Sequence, residues 1–108
     1  ALARLDCDHP SVANRFGGMC YDTRPQPIGP TRVPVPDGVA GVPSNVVLVV
    51  KVSRQGRTLA VLTRTPSNEP AFTKAVEDHA QTLRWTPAIL EGQPVDGWTQ
   101  AAFFPDTP

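Results

Sequence analysis

Apolar positions in this chain recur with two different periods, and each period marks an element. Residues 45–53, NVVLVVKVS, are dominated by β-branched side chains, and Lys51 interrupts the run near its end. In an extended strand Val46, Leu48, Val50 and Val52 share one face, and Val47, Val49 and Lys51 the other. Arg54, Gln55, Gly56 and Arg57 form a turn in which Gly56 suits a positive φ. Residues 58–65, TLAVLTRT, supply the return strand, so the pair predicts an antiparallel hairpin.

The period then changes. Pro66 and the polar residues up to Pro70 stop the strand, and Ser67 or Asn68 is the expected cap of a helix with Pro70 in its early turn. Phe72, Ala75, Val76, His79, Ala80 and Leu83 then fall on one helical stripe, opposite Lys74, Glu77, Asp78 and Gln81. Pro87 forces the chain out of the helix and biases Thr86 toward extended geometry. Glu91, Gly92, Gln93 and Pro94 form a turn, and residues 98–104, WTQAAFF, the last strand, which Pro105 is expected to end. The order β-β-α-β predicts an α+β fold, a small three-stranded antiparallel sheet with one helix packed on a face.

The first third of the chain lacks either period. Residues 1–32 read as an N-terminal cysteine loop and proline-rich arm, and residues 33–108 as the domain. Leu2, Leu5, Val12, Phe16, Met19 and Tyr21 surround the cysteine loop. A short helix over residues 10–16 is expected, with Asp8 as cap, Pro10 in the first turn and Gly17 and Gly18 ending it. Pro25, Pro27, Pro30, Pro34, Pro36 and Pro43 make residues 23–43 extended and irregular, either a linker or an ordered arm across the domain.

Cys7 and Cys20 read first as a disulfide, which by the chain-entropy account stabilises by roughly 3 kcal/mol. Two reduced, buried thiols are the alternative. A metal site is disfavoured, because zinc needs about four ligands and only His9, Asp6 and Asp8 lie near. A disulfide implies an oxidising compartment.

Composition narrows the function classes. The 108 residues carry ten basic and ten acidic side chains, so no basic excess points to nucleic acid. No apolar run approaches the ~18 residues needed to span a bilayer, and no signal peptide is visible at Ala1. The chain reads either as cytosolic or, the preferred reading, as a soluble piece cut from a longer protein. His79 lies on the apolar stripe without a nucleophile or carboxylate beside it, and His9 reads as a solvated loop residue. Glu77 and Asp78 are adjacent and point about 100° apart. Ser11, Ser44, Ser53 and Ser67 lack a nucleophile elbow, and Gly17-Gly18 lacks the surroundings of a phosphate loop. Trp85 and Trp98 flank the last turn, as core residues or as a stacking platform. No enzymatic activity, cofactor, metal or small-molecule substrate is expected.

The ordered series Gln55-Gly56-Arg57-Thr58, then Phe72, Ala75 and Val76, then Leu83-Arg84-Trp85-Thr86-Pro87-Ala88, then Gly92-Gln93-Pro94-Val95 resembles the C-terminal domain of the TonB family over about residues 33–104. The match departs from the family at Leu83, where tryptophan is usual, at Gln55, and at Thr65-Pro66-Ser67. The cysteine loop has no counterpart in the best-known members. The resemblance implies a periplasmic domain of an inner-membrane-anchored energy transducer. An upstream segment would couple it to an inner-membrane motor complex, and it would capture an extended peptide of an outer-membrane transporter or another cell-envelope protein by strand addition. The family's edge for this corresponds to Trp98, Thr99, Gln100, Ala101, Ala102, Phe103 and Phe104. Such a strand offers three or four ladder bonds of about 1 kcal/mol each. The alternatives are a TonB-like fold reused as an extracytoplasmic sensor or scaffold of a larger membrane protein, and a TolA-like C-terminal domain. An arm lying across the last strand would favour the sensor or scaffold.

Overall fold

The computed structural model describes residues 7–13 and 20–106. It is a mixed α+β fold built on a four-stranded sheet. The chain runs through a 3-10 turn η1 (Pro10–Ala13), β1 (Gln26–Pro27), β2 (Arg32–Pro34), β3 (Val46–Val52) and β4 (Thr58–Thr65). It continues through α1 (Pro70–Thr82), β5 (Trp85–Thr86), β6 (Ala88–Leu90), β7 (Gln93–Val95) and β8 (Gly97–Asp106). Of the helix expected over residues 10–16, Pro10–Ala13 form the 3-10 turn η1, and residues 14–16 lie outside the described residues. Leu2, Leu5, Asp6, Phe16, Gly17, Gly18 and Met19 lie outside the described residues. No described helix is long and apolar enough to cross a membrane.

The hairpin, the helix and the last strand form where the periodicity places them. β3 pairs antiparallel with β4 and, on its other side, with β8. Gly56 turns the hairpin at φ +81°, and a Cβ there would collide with the Trp85 carbonyl oxygen. The N-cap of α1 is Glu69, not Ser67 or Asn68, and it makes no side-chain capping bond. Those two side chains are engaged elsewhere. Asn68 Oδ1 accepts from the Ser44 amide, Ser44 Oγ accepts from the Asn68 amide, and Ser67 Oγ accepts from the Glu69 amide.

Two expectations are corrected. The sheet has four strands, in the order β2-β8-β3-β4, because the proline-rich arm contributes β2 parallel to the end of β8. The last strand also continues through Pro105 to Asp106. Proline is tolerated there because β3 begins at Val46 opposite Phe103, so the side on which Pro105 would have donated has no strand to receive a bond. On the other side the Phe104 amide donates to Thr31 O at 3.0 Å.

One apolar cluster lies between sheet and helix. Val46, Leu48, Val50, Val52 and Phe103 meet Phe72, Val76 and Ala80 of α1, with Val33, Leu83 and Trp85 at the margins. Full burial of side chains this size stabilises by about 1.5–3 kcal/mol each. A second cluster covers the opposite face at one end, where Val12, Ala13, Cys20 and Tyr21 pack on Val49, Ala88 and Trp98. Cys7 and Cys20 are joined by a disulfide, with Cα atoms 5.6 Å apart. Two shorter antiparallel pairs complete the fold, β1 with β5 and the hairpin β6–β7. Glu91 and Gly92 turn that hairpin at φ 53° and 77°, the two positive values of a type I′ turn.

Candidate partner-binding edges

Sheet edges are where backbone donors and acceptors remain available to another chain. The seven residues picked out from the sequence are not at a fully open edge. Trp98, Thr99, Gln100, Ala101, Ala102 and Phe103 all pair with β3. Phe104 pairs with Arg32 of β2. On the side away from β3, the Trp98 amide donates to Tyr21 Oη at 3.1 Å and Thr99 Oγ1 donates to Pro25 O at 3.0 Å. Residues 20–34 therefore run beside β8 and close it at both ends. Between these points no described strand lies beside Gln100, Ala101 and Ala102.

The side chains of these seven residues divide by face. Thr99, Ala101 and Phe103 turn toward α1, with Phe103 fully buried and Ala101 half-buried. Trp98, Gln100, Ala102 and Phe104 lie on the opposite face. Trp98 is buried under η1, and its Nε1 donates to Asp8 O at 2.8 Å. Asp8 also pairs with Lys51 Nζ at 2.6 Å, and that bond is the first cause holding the Lys51 ammonium above its ordinary pKa. Gln100 is exposed and accepts a bond from Arg64. Phe104 is 37% exposed.

Trp85 is likewise buried, with Nε1 donating to Thr58 Oγ1 at 2.9 Å, so both tryptophans pack inside. His79 is half-buried. Its Nε2 donates to Pro30 O at 2.8 Å and its ring meets the Phe103 ring edge-on, so it ties the helix to the arm. His9 is exposed and bonds locally to Ser11.

The outer strands of the sheet are the three-residue β2 and, on the other side, the eight-residue β4. Arg57 forms an antiparallel bridge with Arg84, and the Trp85 amide donates to Gly56 O, so the start of the strand is closed by the helix exit. Beyond it, residues 59–65 have, among the described residues, a neighbouring strand only on the β3 side. Residues 59–63, LAVLT, carry no charge, and Leu59 and Leu62 are 53% and 46% exposed. Natural edges are commonly blunted by lysine, proline or bulges. Here the register slips at Leu59 and again at Arg64, neither of which has a partner on β3, and the stretch between them, residues 60–63, is regular and uncharged.

A cavity of about 240 Å³ adjoins the closed end of this edge, lined by Arg57, Thr58, Gln81, Thr82, Leu83 and Arg84. The sequence places Arg57 in the hairpin turn and Arg84 in the helix exit and assigns neither a binding role. Each looks like an ordinary exposed arginine, one closing a turn and one after a helix, and only the bridge across the hairpin and helix exit brings them together. Among the described residues no three histidine, cysteine or acidic side chains converge as metal ligands. In comparisons with protein families, curated proteins and solved structures, the chain matches none of them.

Proposed function

We propose that this is a non-catalytic, extracytoplasmic protein-binding domain that captures an extended segment of a cell-envelope partner by strand addition. The observation that carries the reading is the open side of β4 beyond Thr58, with Leu59 and Leu62 exposed and a regular, uncharged stretch over residues 60–63. Strand addition supplies backbone bonds that tolerate many sequences, with pockets adding selectivity. The disulfide is consistent with an oxidising compartment such as the periplasm. The resemblance to TonB C-terminal domains supports an energy-transducing role, with an outer-membrane transporter as partner and an inner-membrane motor reached through an upstream segment. Capture on residues 98–104 themselves would require the arm of residues 20–34 to lift.

A second reading is favoured by that same arm. A last strand closed at both ends by its own chain suits a sensor or scaffold, in which the cysteine-tied lobe is the interaction surface. An amide NMR titration with extended peptides from the periplasmic ends of candidate transporters separates the two. Strand capture predicts shifts concentrated on residues 59–65, or on 98–104 if the arm lifts. Shifts confined to residues 7–13 and 20–22, or none, would reject it.

A further inference from the structure

We propose that Arg57 and Arg84 form a carboxylate-binding anchor at the end of the β4 edge, selecting an extended partner segment that carries its acid near its C-terminal end. The inference rests on the strand-addition reading and names the chemistry of the partner. The bridge sets the two arginines directly opposite each other. Like charges so placed are destabilising on their own. Neither guanidinium has an ion pair or a side-chain hydrogen bond among the described residues. Both line the same open cavity.

The neighbourhood accounts for part of this arrangement. α1 ends at Thr82, and its C-terminus carries a partial negative charge of roughly half an electron, which favours nearby cations. That is less than the charge of two arginines, so the cavity keeps a positive excess. Guanidinium donors suit a carboxylate, which they can hold by paired bonds. Nearby acids are committed: Glu77 accepts from Thr63, and Asp78 pairs with Lys74.

Direction follows from the strand. Arg57 stands just before β4 begins, so a partner added antiparallel brings its C-terminal residues to this cavity. The middle of that partner lies along residues 59–63, whose exposed leucines suit an uncharged, β-branched segment. The carboxylate can come from an acidic side chain or from a chain end, and either would fit the two guanidiniums.

The test is an amide NMR titration of the oxidised protein with three peptides. They are acetyl-Thr-Val-Thr-Val-Glu-amide, acetyl-Thr-Val-Thr-Val-Ala with a free carboxylate, and acetyl-Thr-Val-Thr-Val-Gln-amide. At low salt, at least one acidic peptide should bind roughly tenfold tighter than the neutral one, a size that two exposed charge pairs support. It should shift residues 59–65 together with Arg57 and Arg84, and the preference should fade as salt rises. Which acidic peptide wins identifies the source of the carboxylate. R57Q/R84Q should abolish the preference and R57K/R84K should keep part of it, with thermal melts confirming that both fold. Equal binding of all three on residues 59–65 would overturn the anchor and leave strand capture standing. Shifts on 98–104 alone would also overturn it and move capture to the last strand. Binding of none would remove both.

Discussion

Tyr21 joins three segments through one oxygen. Its hydroxyl donates to Cys7 O at 3.0 Å and accepts from the Trp98 amide at 3.1 Å, under the disulfide-closed lobe. Burial is the first cause pushing its pKa above 10.0. Folding therefore favours the neutral phenol. The stability this adds is fully present below the unfolded phenol's pKa and is lost as pH rises through the folded value. Lys51, also raised, works in the same direction. Tyr21→Phe leaves the Trp98 amide unsatisfied and should cost about 1–3 kcal/mol at neutral pH. The parent should lose stability above about pH 10 more steeply than this variant. Urea melts across pH 7–11 check both, and parallel pH curves would overturn the role given to the phenol. At this scale the sequence is legible where backbone geometry restricts choice. Gly56 could be read because its turn excludes a side chain. Tyr21 and the Glu69 cap could not, because each depends on a partner far away in sequence.

The elements were legible in proportion to their regularity. β3, β4, α1 and β8 carry their periods in plain view. β2 does not: it is three residues beside prolines, and it becomes a strand only through the ladder offered by Phe104, Pro105 and Asp106. That one hidden strand turns the expected outer strand into an inner one at its end. β4, which pairs with β3 alone, is the long open side of the sheet, so the candidate edge lies there and not on β8. Arg57 and Arg84 were readable as residues but not as a pair. The helix offers the direct check on the packing. Val76 is fully buried at the centre of the sheet–helix cluster. Val76→Asp should cost more than about 3 kcal/mol and lower or abolish the thermal transition. A variant that melts like the parent would mean that α1 does not pack on this stripe.

At the scale of the whole molecule, the first and last described thirds are laced together. Asp22 and Thr23 bond to Ile89, Gln26 pairs with Thr86, and Arg32 with Phe104. This has a consequence for the time course of assembly. The β3–β4 hairpin and α1 are closed by short loops, whereas every strand contact of the arm spans most of the chain. Closing a long loop costs more entropy, and such contacts form late. The Cys7–Cys20 loop is short and lies upstream, so it can close before any of the sheet exists. Pulsed hydrogen exchange during refolding of the oxidised protein should protect amides of β3, β4 and α1 first. Asp22, Ile89 and Phe104 should follow, and protection of these three in the earliest phase would sink that order. A chain emerging N-terminus first would therefore carry its arm, tied by sulfur but not yet docked, until its last strand arrives to receive it.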